Sequence, residues 1–353
     1  MNEEDEYGRN LIFNAIYNNS IEIVKLLIEY ANQHQIILEL NEKDNKYGHY
    51  PLLRAISYNN IETIKLLIKY ANQHQIILEL NEKTKDGYYP LLSAISCNNI
   101  EVVKLLIEYA NQHQIILKLN EKCERGGYPL LEAIYNIEII KILIEYSNQH
   151  KVILELNEKD EGGRYPLLDA IDYPINYNNN DKNEIFKLLI KYANQHQIIL
   201  ELNEKTKNGS YPLLRAISHS NIELVKLLIE YANKHHIIMK LNEKGEWGRY
   251  PLLMAIFCSN IEVVKLLIEY ANQHQIILEL NEKDEGGCYP LLEAIKNNNI
   301  ENVKLLIEYA NQHQIILEYD KEDFDLRNKP EIQKILENYE EEKGMNKRKK
   351  VIE

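Results

Sequence analysis

The lysine of a Val-Lys-Leu-Leu-Ile type motif falls at Lys25, Lys65, Lys104, Lys141, Lys187, Lys226, Lys265 and Lys304. The steps between these positions are 40, 39, 37, 46, 39, 39 and 39 residues. No other feature constrains the fold as much. A fixed period of this length means one small supersecondary unit used again and again, not one globular core. Eight such units occupy residues 1–320, a possible capping helix falls within 321–342, and a basic tail, expected to be disordered, fills 343–353.

Residues 87–122 read GYYPLLSAISCNNIEVVKLLIEYANQHQIILKLNEK and show what a unit can build. Pro90 suits the first turn of a helix, where its missing N–H would have no partner in any case. Leu91, Leu92, Ala94 and Ile95 give that helix an apolar face. Asn98 and Asn99 can leave it through the left-handed conformation that Asn tolerates. Ile100, Val103, Leu106, Ile107 and Ala110 then keep the i, i+3, i+4 spacing of a second helix with one buried stripe. On its outer face, Glu101–Lys104 and Lys104–Glu108 are expected to be solvated pairs worth a few tenths of a kcal/mol, roughly.

The stretch ANQHQIILELNEK follows, identical at residues 31–43, 71–83, 193–205 and 271–283. Nothing in it breaks a helix before NQHQ, so the second helix is expected to run on by about a turn. IILEL fits either a helical turn or a short extended piece. A single unit cannot cover its own stripe. Each Leu or Ile contributes roughly 1.5–3 kcal/mol when fully buried, so the copies must stack to offset their ordering entropy.

Gly-x-Tyr-Pro-Leu-Leu-x-Ala, then Asn-Ile-Glu-x-Val-Lys-Leu-Leu-Ile, then Leu-Asn-Glu-Lys, resembles the ankyrin repeat. The family pattern is Gly-x-Thr-Pro-Leu-His-x-Ala, a Gly-His-x-x-Val-Val-x-Leu-Leu core, and Val-Asn-Ala. The resemblance implies an all-α, ankyrin-type helical repeat solenoid with variable turns between helix pairs. Three departures stand out. Tyr50, Tyr89, Tyr128, Tyr165, Tyr211, Tyr250 and Tyr289 replace the threonine, which removes an N-cap hydroxyl typically worth ~1 kcal/mol. Leucine replaces the family's histidine. The period exceeds the family's length of about 33 residues, and the excess falls within ANQHQIILE.

The first unit is degraded, with Asn10, Leu11, Ile12 and Phe13 where later copies have Tyr-Pro-Leu-Leu. The unit from Gly126 is shortened at Tyr135 and Asn136, and the unit from Gly163 carries extra residues within 172–182, read as a protruding loop. Pro330 opens one more helix, with Ile332, Ile335, Leu336 and Tyr339 on a face suited to cover the last repeat.

The formal net charge of −13 argues against broad nucleic-acid or anionic-membrane binding. No apolar run approaches the ~20 residues a membrane-spanning helix needs. The N-terminus is acidic and lacks the apolar core of a secretory leader. Cys97, Cys123, Cys258 and Cys288 have no paired spacing, which points to a reducing compartment. No phosphate-binding loop, nucleophile elbow or zinc-protease motif is present, so no catalysis, cofactor or metal is expected. The eight recurring histidines, His34 to His313, sit one per unit. Packed helices lie about 8–10 Å apart, too far for neighbours to share an ion at ~2 Å bond lengths. They are expected to form a polar ladder.

Positions that change from copy to copy are the candidates for recognition. The stretch before Tyr-Pro reads DNKYGH, TKDGY, CERGG, DEGGR, TKNGS, GEWGR and DEGGC. The residue before the helix-one alanine is Arg54, Ser93, Glu132, Asp169, Arg215, Met254 and Glu293 in turn. In the ankyrin family, these turns and this face of the first helix line the concave binding surface. Carried over, the resemblance implies contacts at Tyr47, His49, Arg54, Tyr58, Tyr88, Arg125, Arg164, Trp247, Arg249, Met254 and Phe257. Tyr, Trp and Arg are the residues most enriched at binding hot spots, and Trp247 is the single tryptophan. The expectation is a monomeric scaffold for another protein, cytoplasmic, or nuclear if Lys347 to Lys350 act as an import signal. A structural spacer is the alternative.

Overall fold

The structure is a computed structural model. It describes residues 2–172, 179–319, 326 and 329–352, with side chains described outside 179–181 and 344–352. Among these residues there are seventeen α-helices and no strand. The chain divides into two compact units. One is Met1–Tyr173 with Lys191–Ile198, and the other is Pro174–Ile190 with Ile199–Glu353.

The first unit is a series of helix pairs: α1 (Leu11–Tyr17) with α2 (Ile21–His34), α3 (Pro51–Ser57) with α4 (Ile61–Gln73), α5 (Pro90–Ser96) with α6 (Ile100–Gln112), and α7 (Pro129–Ala133) with α8 (Ile137–His150), followed by α9 (Pro166–Asp172). After α10 (Asn179–His196), the second unit continues with α11 (Pro212–Ser218) and α12 (Ile222–Lys234), α13 (Pro251–Phe257) and α14 (Ile261–Gln273), α15 (Pro290–Lys296) and α16 (Ile300–Gln312), and then α17 (Pro330–Ile352). Within each unit first helices pack on first helices and second on second. This is the expected helical-repeat solenoid.

Local chemistry sets the helix ends. Proline opens nearly every first helix. Asn19, Asn59, Asn98 and Asn298 leave it with φ of 52–56°, and Ser220 and Ser259 do the same at 53°. The next Asn caps the second helix; Asn60 accepts from Thr63 N and Asn99 from Val102 N, both at 3.0 Å. In the shortened copy α7 has five residues and no left-handed residue precedes Asn136. The protruding-loop reading falls mostly on residues 173–178, outside those described; residues 179–182 belong to α10.

The second helix runs through Asn-Gln and then stops without glycine. Gln35, Gln75, Gln114, Gln275 and Gln314 adopt φ of 55–58°. IILEL beyond is neither helix nor strand, and its burial alternates: Leu38 and Leu40 are buried while Ile37 is exposed.

This recurring stretch joins one copy to the next. Tyr70 of α4 places its hydroxyl in the preceding copy's IIL segment, accepting from Leu38 N at 3.2 Å and donating to Ile36 O at 2.9 Å. Tyr109, Tyr270 and Tyr309 repeat both bonds further along the chain. Asn41 Nδ2 donates to Ile77 O at 2.8 Å while its Oδ1 accepts from Glu79 N at 3.2 Å. Lys43 reaches Glu82 at 2.7 Å and Lys83 O at 3.2 Å. The histidines form the expected ladder. His74 bonds Asn32 at 2.7 Å and His113 bonds Asn72 at 2.8 Å, while each ring lies 4.2 Å from the tyrosine four residues earlier. The Asn, His and Lys side chains of the stretch are committed to the neighbouring copy.

The tyrosines that replace the family's threonine do not cap their helices. All are buried, and the hydroxyls of Tyr50, Tyr89, Tyr128, Tyr211 and Tyr250 bond backbone carbonyls at the end of their own copies, as Tyr50 does to Glu79 O at 2.7 Å. Asn10 in the degraded first copy substitutes on both counts. It caps α1 through Phe13 N, and its Nδ2 donates to Glu39 O at 2.9 Å.

The outer-face ion pairs differ from expectation. Lys104 pairs with Glu138 of the next copy at 2.7 Å, and Glu101 with Lys65 of the previous one at 2.6 Å. Parallel second helices bring the lysine opposite the neighbour's first-turn glutamate, and the within-helix pairs do not form. Both partners are about half exposed, so each is worth well under about 1 kcal/mol.

α17 packs on α16 through buried Ile332, Leu336 and Tyr339, with Ile335 half-buried. Tyr339 accepts from Leu317 N at 3.2 Å, the bond that a following repeat would otherwise supply. Residues 343–352, expected as a disordered tail, carry helical backbone as the end of α17, and the side chains of Lys347 to Lys350 lie outside those described. No helix among the described residues is long and apolar enough to cross a membrane.

Candidate functional site

The turns preceding each first helix are small backbone frames. Asp44 accepts from Lys46 N at 3.0 Å and Tyr47 N at 2.5 Å, and Gly48 N closes the turn on Asp44 O at 3.1 Å. Each tip is then tied to the next. Lys85 N donates to Tyr47 O at 2.9 Å, Glu124 N to Asp86 O at 3.0 Å, and Glu285 N to Trp247 O at 3.0 Å. Glycine is required beside the tip: Gly87 has φ 82°, and a Cβ there would lie 2.8 Å from Cys123 Cα. With its backbone so occupied, a tip side chain is left to project.

The eleven candidates fall into separate groups. At the start of the first unit, Arg54 lies over Tyr17 and Tyr58, with Cζ 4.4 and 4.5 Å from the ring centroids, and its Nη2 donates to the Tyr58 hydroxyl at 2.6 Å. Tyr47 packs edge-on to His49 at 6.2 Å. Burial and the Arg54 charge hold His49 below the usual histidine range.

Further along, Tyr88 is half-buried, and burial, with Cys123 beside it, raises its hydroxyl's pKa. Arg125 is exposed. Arg164 pairs with Asp160 at 2.8 Å and with Asp169 at 3.2 Å. Asp169 also accepts from Tyr135 at 3.3 Å. Burial pushes the Asp169 carboxyl up to about 6, outweighing the pull of Arg164 and Tyr135. Burial also raises Glu132, against the opposing charge of Arg164.

In the second unit Arg249 stacks on Phe257, Cζ 4.0 Å from the ring centroid, and approaches Asp284 at 3.4 Å. Met254 is half-buried on the same helix. Trp247 is 65% exposed. Its φ of 61° makes it the one tip residue other than glycine with positive φ among the described residues. The cause is local. Gly245 stands where the other turns have Asp, Thr or Cys, no side chain caps the turn, and the chain tightens into a 3₁₀ turn over Glu246–Gly248. A bulky residue held there costs of order 1 kcal/mol or more.

Four participants escaped the sequence reading. Tyr7, Arg9 and Tyr17 belong to the degraded first copy; Arg9 lies 4.7 Å from the Tyr7 centroid and 4.2 Å from that of Tyr17. The available signal was Tyr7-Gly8-Arg9, in register with Tyr47-Gly48-His49. Tyr135 sits at the shortened turn, where the copies lose alignment. Among the described residues, no group of three or more His, Cys, Asp or Glu is placed to hold a metal ion.

Paired helices, a framework bonded from copy to copy, and turns whose side chains change with each copy define a helical-repeat protein. The chain belongs to the ankyrin-repeat family. It matches "Ankyrin repeats (3 copies)" over residues 1–76, 175–277 and 233–316, and "Ankyrin repeats (many copies)" over 52–107. Among solved structures it is similar to the ankyrin repeat domain of Bcl-3, described as a unique member of the IkappaB protein family. The TM-score is 0.48 and the identity 18%, over 74% of this chain and 99% of that one. No curated protein sequence matches it. Ankyrin repeats generally mediate protein–protein interaction.

Proposed function

We propose that this chain is a non-catalytic scaffold that binds another protein through the variable turns and the first-helix face, acting as a monomer without cofactor or metal. The observation that carries this reading is a division of labour. The recurring Asn, His and Lys side chains and the second-helix Tyr hydroxyls bond the adjacent copy, whereas the side chains at the tips of the braced turns change from copy to copy. Trp247, exposed at 65% and held at an unfavourable φ, and Phe257, exposed under Arg249, are the anchors to which we assign most of the binding energy. Truncating a hot-spot aromatic typically costs about 2 kcal/mol or more. Recognition by a stack already ordered limits the entropy lost on association.

The test compares co-purification of wild type, Trp247→Ala and Phe257→Ala from the native source, with partners identified by mass spectrometry. The same partner should be lost from both variants while their circular dichroism and melting stay unchanged. A spacer that acts through its ends would keep its partners in both, which would refute the reading. We place the protein in the cytoplasm, or in the nucleus if Lys347 to Lys350 direct import; removing residues 345–353 and imaging its distribution separates the two.

A further inference from the structure

We propose that the first two repeats carry a site for an acidic segment of a protein partner, built from Arg9 and Arg54 around the ring of Tyr17. This rests on the protein-binding reading above and names the chemistry of one part of that surface. Both guanidinium carbons lie close to the same ring, at 4.2 and 4.4 Å from its centroid, so the two charges are within about 9 Å of each other. Such a pair repels itself unless an anion stands between or beside it. Among the described residues neither guanidinium makes an ion pair. The Nε atoms of both are buried without a hydrogen-bond partner. Arg9 is only 9% exposed. Two other arginines of the candidate set differ, Arg164 and Arg249 each being matched to an aspartate, while Arg125 is exposed and stands apart from any such ring stack.

Nearby carboxylates are already occupied. Asp5 accepts from the backbone of Tyr7 and Arg9 and from Asn14, and it feels the Arg9 charge without forming an ion pair with it. Asp44 accepts from the backbone of its own turn. Lys46 adds a third cation over Tyr47, 4.9 Å from its ring centroid. Arg54 is held in place by Tyr58, whose hydroxyl is itself anchored to Tyr17 O at 2.9 Å, so its donors are ordered before a ligand arrives. Glu3 and Glu4 share a surface depression with Arg9 and would repel an acid there. The approach that remains is over Tyr47 and Tyr58, 40% and 38% exposed. Rings and guanidinium forks together suit glutamate or aspartate side chains on an extended peptide. The overall charge of −13 works against any acidic partner, so binding of one requires a local site.

The test titrates a fluorescein-labelled deca-glutamate peptide with the full chain by fluorescence anisotropy, with deca-lysine and inorganic phosphate as separate arms. Deca-glutamate should bind at about 10 mM salt and weaken at about 100 mM, as the screening length falls from roughly 30 to 10 Å. Arg54→Gln should weaken it about tenfold or more, Arg9→Gln with Arg54→Gln should abolish it, and Arg54→Lys should recover part. Trp247→Ala should leave it intact, so this proposal and the scaffold reading can fail separately. Three results overturn the assignment: no binding of deca-glutamate at low salt, equal binding by wild type and a folded Arg54→Gln chain, or displacement of the peptide by millimolar phosphate, which marks a small-anion site. If Arg54→Gln melts early, the comparison of Arg54→Lys with Tyr58→Phe decides. The lysine variant must bind less tightly than wild type, and loss of the tyrosine hydroxyl that orders Arg54 must weaken binding too; no change in either refutes the site.

Discussion

Replacing Tyr109 by phenylalanine isolates the bond that joins one copy to the next. The ring stays, with its contact to His113 at 4.2 Å, so apolar burial is almost unchanged. What disappears is a hydroxyl that accepts from Leu78 N at 3.0 Å and donates to Ile76 O at 3.1 Å. Leu78 is 1% exposed, so its amide is left without an acceptor and beyond the reach of water. A buried orphaned donor costs about 1–3 kcal/mol. Ile76 is only half-buried, and water can satisfy its carbonyl. The loss is therefore about 1–3 kcal/mol, concentrated at the interface between two copies. Urea unfolding should show that loss, and hydrogen exchange should show the Leu78 amide losing protection ahead of amides within α6. His113→Ala removes an exposed bond to Asn72 in the same ladder and should cost under about 1 kcal/mol. If Tyr109→Phe costs less than about 0.5 kcal/mol and Leu78 stays protected, the tyrosine hydroxyls do not hold the copies together.

Gly87→Ala places a Cβ 2.8 Å from Cys123 Cα on a residue with φ 82°; it should cost about 2 kcal/mol or more and lower the thermal midpoint. Asn81→Ala deletes the links to Ile116 O and Lys118 N at 2.8 and 3.1 Å, both near solvent, and about 1–2 kcal/mol should be lost in the same urea assay. Asp169 ionises near 3.8 when unfolded but near 6 when folded, so the native chain holds a proton that the unfolded one has released. Its contribution is complete below about pH 4 and is lost as pH rises through 6, by up to about 3 kcal/mol. Asp169→Asn should flatten that part of the stability–pH curve; an unchanged difference between pH 4 and pH 7 would contradict the assignment.

The repeat period, helix pairs, Asn-led exits and Pro-led starts were all readable, because each depends on residues within a few positions of each other. The histidine ladder was also readable as polar, since one residue per copy must line up when copies stack. The partners of Lys104, Tyr50 and Asn41 were not. Each bonds a residue roughly 30–40 positions away, and nothing local says which atom of the neighbouring turn will stand opposite. The candidate face was legible only where copies align. Arg9, Tyr17 and Tyr135 escaped because the first copy and the shortened one break the register.

The sequence alone determined that a short helical unit recurs and that no copy can cover its own apolar stripe, since composition and spacing dictate both. Only the tertiary structure decided where the polar groups go. The thirteen-residue stretch leaves its helix at a left-handed glutamine and continues as neither helix nor strand, and its Asn, His and Lys side chains, with the second-helix tyrosine hydroxyls, span to the adjacent copy. Hydrogen bonds need a particular distance and direction, and these exist only once two copies are stacked.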